Sequence, residues 1–96
     1  MVKHIVCFKL KEPTLENCEK AKQVLLGMRT NVPMLRDIQV GIDFLHSERS
    51  YDVVLEVVVD DKEALEAYQQ HPYHVEHVKT HMHAVRAGSV AVDYEF

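Results

Sequence analysis

The 96-residue chain has no tryptophan, only three glycines and three prolines, and two cysteines. So little glycine and proline excludes collagen-like and low-complexity architectures. Cys7 and Cys18 are too few to staple a small secreted domain, so a reducing compartment is expected. Basic residues are also scarce, 11 against 15 acids, for a net charge of -4. That balance offers no footprint for a nucleic-acid backbone. Long apolar runs are missing as well. Lys3, His4 and Lys9 break the first one, so it cannot serve as a signal sequence. No stretch approaches the roughly 20 residues that span a bilayer. A cytoplasmic protein with no nucleic-acid and no membrane partner is expected.

What is present is ordinary for one globular domain covering residues 1–96: 47% hydrophobic and 27% charged residues. The exception is histidine. There are seven, and five lie between His71 and His83.

Val2, His4, Val6, Phe8 and Leu10 alternate with Lys3, Ile5, Cys7 and Lys9, the period of a strand. Pro13 stops it, and Thr14 is placed to cap a helix. That helix carries Leu15, Cys18, Ala21, Leu25 and Met28 at intervals of three or four. Ile38, Val40, Ile42 and Phe44 predict a second strand; Tyr51, Val53, Leu55, Val57 and Val59 predict a third. The polar turn His46–Ser50 makes them an antiparallel hairpin. Asp60 and Glu63 read as a capping box for a short helix through Tyr68, broken at His71-Pro72. A third helix is predicted from Tyr73 to Ala87, with Val75, Val78, Met82 and Val85 inward and Gly88 at its end. Val90, Val92, Tyr94 and Phe96 alternate in a last strand. The order β-α-β-β-α-α-β predicts a ferredoxin-like α+β sandwich with a four-stranded antiparallel sheet.

Sorting the strands by parity gives two unlike faces. The first unites the apolar set of every strand, Val90, Val92 and Phe96 included, and belongs under the helices. His4 is its interior polar member. The second mixes Ile5, Cys7, Val54, Val58 and Ala91 with Lys3, Asp52, Glu56, Asp93 and Glu95. A face left to water is more uniformly polar. A symmetric homodimer burying Ile5, Val54, Val58 and Ala91 is expected.

Three readings compete for the histidines. His46, His77, His81 and His83 read as solvated surface groups. His77 and His81, spaced i,i+4 with His74 extending the row, suggest a metal site. That row lacks the glutamate of HExxH and a third ligand from elsewhere, so no metal and no cofactor are expected. The third reading is an acid–base pocket in which His4, His74 and Tyr68 converge beneath the helices. Cys7 and Cys18 have no basic neighbour in sequence that would activate a thiolate.

Lys3-His4-Ile5-Val6, Pro33, Val40-Gly41, the run from Ala67 through Tyr68, His71-Pro72 and His74 to Val75, and Val92-Asp93-Tyr94 together form a pattern. The chain resembles the stress-responsive dimeric α/β barrel (Dabb) family over essentially its whole length. The resemblance implies a homodimer whose two sheets close a barrel. One plant member, a polyketide cyclase, closes a linear polyketide thioester by an aldol step without metal or cofactor. By that likeness His74 is the base, Tyr68 holds the thioester carbonyl and His4 sits across the pocket. Val53 stands where the cyclase has a further pocket histidine. Two functions stay open. One is a protein binding a small hydrophobic or carbonyl-containing ligand, with lyase or cyclase chemistry. The other is a non-enzymatic stress or assembly protein in which His4, Tyr68 and His74 serve the fold.

Overall fold

Strict alternation along Val2–Leu10 makes β1, the strand on which the sheet is built. In the computed structural model, which describes all 96 residues, β1 pairs antiparallel with a strand on each side. Two helical segments follow it, α1 (Leu15–Leu26) and α2 (Met28–Asn31), then β2 (Asp37–Ile42) and β3 (Val53–Val59). Next come α3 (Lys62–Gln70), a π-helical stretch His74–Lys79, α4 (Thr80–Val85) and β4 (Arg86–Glu95). The sheet order is β2-β3-β1-β4, antiparallel throughout. This is the predicted ferredoxin-like α+β fold.

Thr14 starts α1 as its position predicts: the Asn17 N–H donates to Thr14 Oγ1 at 3.1 Å. Cys18, Ala21 and Leu25 form its buried stripe. The helix stops at Leu26, and Met28 opens a separate turn while staying buried. A methyl group on Gly27 would lie 2.5 Å from Tyr73 Oη, so a larger residue at this junction would push the Tyr73 ring aside. Tyr68, Leu25, Met28, Leu55 and Val57 are among the fully buried side chains between helices and sheet.

Several boundaries differ from expectation for local reasons. Asp61, not Asp60, caps α3, its Oδ1 accepting from the Ala64 N–H at 2.8 Å. Asp60 is engaged elsewhere, taking Arg36 Nε and Nη2 at 2.6 and 2.9 Å. β2 ends at Ile42 because Asp43 Oδ2 accepts from the His46 N–H at 2.7 Å, with His46 left-handed at φ 53°. Phe44, predicted under the helices, is therefore 89% exposed. The third helix is not one α-helix: it is π-helical over His74–Lys79 and ends at Val85, while Gly88 lies inside β4. The wider π turn exposes Val75, expected in the apolar stripe, and buries His74.

The largest correction concerns β4. His4 opposes Asp93 and Val6 opposes Ala91, whereas Ile5 opposes Val92 and Cys7 opposes Val90. Directly opposed residues share a face. Val90, Val92 and Tyr94 thus lie on the open face, and Ala91 and Asp93 lie on the helix side, the reverse of the predicted parity. Because strand side chains repeat every two residues, a shift of one exchanges the faces completely. Apolarity misled the assignment, since both faces of this strand meet apolar neighbours.

Asp52, predicted on the mixed face, is buried at the end of β1. The Leu10 N–H donates to its Oδ2 at 2.7 Å, and its own N–H donates to the Phe8 carbonyl at 2.9 Å. It thereby bridges the irregular step between Lys9 and Leu10 where the β1–β4 register shifts. Asp52→Ala leaves the Leu10 amide buried and unpaired. We expect a loss of about 1–3 kcal/mol in urea unfolding with an unchanged slope. A loss below about 0.5 kcal/mol would show that this bridge contributes little.

Candidate acid–base site

The helices pack on β1, β2 and β3. The inner face of β4 remains as one wall of a cavity of ≈ 290 Å³, closed on the other side by the π-helical stretch and α4. His4, Tyr68 and His74 all line it. The structure brings these three together from β1, α3 and the π-helical stretch.

His4 is 6% exposed. Its Nδ1–H donates to the Asp93 carboxylate, its cross-strand neighbour. A carboxylate only accepts, so the neutral imidazole keeps its lone pair on Nε2. Tyr68 stands between the two imidazoles. Its ring centre is 5.7 Å from His4, edge-on, and 4.6 Å from His74, tilted by 43°. No protein group lies within hydrogen-bond reach of its buried hydroxyl. Burial, then the charge of Asp93, pushes the phenol pKa upward, so the hydroxyl stays protonated.

His74 is 8% exposed. Its Nδ1–H donates to the Gln69 carbonyl at 3.1 Å, which leaves Nε2 as the acceptor. Burial lowers its pKa below the ordinary 6.5. The Gln69 bond opposes that shift, and Lys79, His4 and His71 add to it. His74 is therefore a neutral base near pH 7.

A consequence for stability follows. Between pH 6.5 and the depressed folded value, the unfolded chain takes up a proton that folded His74 refuses. Stability falls as the pH drops through that window. His81, lowered mainly by burial, acts in the same direction. Melting curves from pH 7.5 to 5.0 should show this decline, and His74→Gln should remove part of it. An identical slope in the variant would count against a buried neutral His74.

The other histidines do not join the cavity's interior. His71 Nδ1 accepts from the Tyr73 N–H at 3.2 Å, and His77 rests against the Tyr73 ring at 4.9 Å. His83 is exposed at the rim. No group of three or more His, Cys, Asp or Glu is placed to hold a metal ion. Val53 is buried outside the cavity lining. A larger hollow of ≈ 370 Å³ lies on the open face around Cys7, Gly41 and Phe44 but contains no histidine. The smaller one is the candidate site because its titratable groups are buried and mutually oriented. Sequence reasoning missed Asp93. The alternation of β4 contained the signal, since Asp93 and Ala91 share a parity that could only be assigned once its register against β1 was known.

A sequence profile described as the stress responsive A/B barrel domain matches residues 2–96. The chain belongs to the Dabb family. No curated protein sequence matches it. The Dabb chain is similar in structure to a dimeric ferredoxin-like protein of unknown function from Thermobifida fusca. That pair has 24% identity and a TM-score of 0.85, covering 99% of this chain and 90% of that one. A dimeric protein of unknown function from Bacteroides fragilis is 26% identical, with a TM-score of 0.81 over 99% and 95% of the two chains. The hydroxynitrile lyase of Passiflora edulis has the same fold at 14% identity, with a TM-score of 0.81 over 97% and 90%. No helix of the Dabb chain is long and apolar enough to cross a membrane.

Proposed function

We propose that this Dabb chain binds a small carbonyl-containing ligand between sheet and helices and moves a proton on the carbon next to that carbonyl. The observation that supports this most is the Tyr68 hydroxyl, buried between two imidazoles with no partner in the protein. A buried orphan donor costs stability, roughly 1–3 kcal/mol. A ligand carbonyl oxygen would accept its hydrogen bond.

The chemistry follows from the hydrogen bonds. Tyr68 O–H donates to the carbonyl oxygen and makes the neighbouring C–H more acidic. His74 Nε2 takes that proton, and the C–H electron pair moves onto the carbonyl oxygen, where Tyr68 stabilises it. The enolate carbon then attacks a second carbonyl carbon in the same molecule. The proton on His74 passes to the oxygen formed there. His4, steadied by Asp93, lies across Tyr68 and can carry a second proton. This is lyase or cyclase chemistry that needs no cofactor. That a hydroxynitrile lyase uses the same fold supports it by analogy only.

We also infer a homodimer through the open sheet face, as the similar structures are described as dimeric. Ile5, Val54 and Val58 belong to that face, with Val92 in place of the Ala91 first expected.

His4 held by Asp93 and His74 held by Gln69 favour the alternative, in which these residues only satisfy one another. Tyr68 is the residue that reading leaves unexplained. The test is an NMR titration of the histidine ring signals with an acetoacetyl thioester in D2O. We expect the His74 signal to move, with protein-dependent deuterium uptake next to the carbonyl that His74→Gln abolishes. If neither His4 nor His74 responds and deuterium uptake equals the background, the non-enzymatic reading stands.

A further inference from the structure

The mouth of the cavity carries charge that the proposed proton transfer does not use. Lys79, at the end of the π-helical stretch, lines it together with His83 and with Arg86 at the start of β4. Neither Lys79 nor Arg86 has a carboxylate within 4.0 Å. Arg86 Nη1 donates only to Ser89 Oγ, at 3.1 Å. The one acid on the cavity wall, Asp93, is already taken by His4. The whole chain has more acids than bases, 15 against 11, yet here the balance is reversed.

We infer that the ligand is itself an anion: an acidic carbonyl compound whose carboxylate or phosphate sits between Lys79 and Arg86 while its carbonyl reaches Tyr68 and His74. This deepens the proposed function and rests on it. Arg86 offers a planar donor fork suited to two anionic oxygens, and Lys79 a point charge. The Lys79 charge reaches His74, whose proton affinity it lowers. An incoming anion would partly cancel that effect and strengthen the base as the site fills. A volume of ≈ 290 Å³ lies at the lower end for ligand sites, so the anion and the carbonyl must be only a few bonds apart.

The test uses three probes on the full chain, read by backbone amide and histidine ring signals: acetoacetate, its uncharged methyl ester, and inorganic phosphate. We expect acetoacetate to move the His74 signal and to bind at least about tenfold more tightly than the ester, the scale of one charge-assisted hydrogen bond. Lys79→Gln and Arg86→Gln should each remove most of that preference and leave binding of the ester unchanged. Both variants should melt within about 2 °C of the parent, since neither side chain is in the core. Ester and acetoacetate binding equally, with His74 moving in both, would overturn the anion preference and leave the carbonyl reading standing. Phosphate moving the Lys79 and Arg86 amides, while no carbonyl probe reaches His74, would support the cationic rim and overturn the carbonyl reading. Silence from all three would overturn both.

Discussion

Val92→Asp is expected to separate the dimer into monomers. Val92 is 61% exposed on the single chain and lies opposite Ile5 on the open sheet face, on the edge strand β4. Val90, Tyr94 and Phe96 extend the apolar surface along the same edge at 50%, 44% and 64% exposure. A contiguous apolar surface of this kind marks an interface, and dimers that persist usually bury at least about 1,000 Å² in total. A carboxylate left unpaired in that interface costs about 3–5 kcal/mol, and a two-fold axis imposes it twice. We expect the dissociation constant to rise at least about a hundredfold in sedimentation equilibrium. Val54→Asp should act alike, because Val54 opposes Cys7 on the same face. Cys7 supplies an internal probe. It is half-buried on that face, so a thiol reagent should reach it in the monomer and not in the dimer. Cys18 is buried, with its pKa raised by burial, and should stay silent until unfolding. A wild-type monomer at micromolar concentration, or two aspartate variants that remain dimeric, would sink the sheet-face dimer.

The second large effect is an opposition between stability and binding at Tyr68. Tyr68→Phe deletes the orphan hydroxyl and keeps the ring that fills the core. We expect the variant to unfold about 1 kcal/mol later, or roughly 4–8 °C higher for a domain of this size. It should also lose the response of His74 to an acetoacetyl thioester. Tyr68→Ala would instead cost about 3–5 kcal/mol by emptying the core, which would hide the functional effect. A Phe variant that is less stable than the parent would mean that the hydroxyl is satisfied within the fold. One that is more stable and still responds would remove Tyr68 from the mechanism.

Much of this arrangement was legible in the sequence, and the failures have definite causes. β1 could be read because its polar and apolar residues alternate cleanly, and His4 stood out as the polar member on the apolar side. The convergence of His4, Tyr68 and His74 followed from that parity and from the spacing of the helices. β4 could not be read the same way. Val90 and Val92 are apolar but open, and Ala91 and Asp93 face the helices, so hydrophobicity pointed to the wrong face. Losing that face lost Asp93, and with it the partner of His4. The inward placement of Val75 failed for another reason: it assumed 3.6 residues per turn where the backbone is π-helical.

That π-helical stretch makes chain length, and not only residue identity, a determinant of what the cavity presents. It holds one more residue per turn than the α4 segment it joins. Deleting a single residue from 75–77 would let the segment close as an ordinary α-helix, with its register against Tyr68 reset. The core anchors Val78 and Met82 would hold their places downstream, and His74 would rotate away from the cavity. An indel here therefore works like a dial: one step changes which side chain faces the cavity while the sheet, its open face and the fold stay as they are.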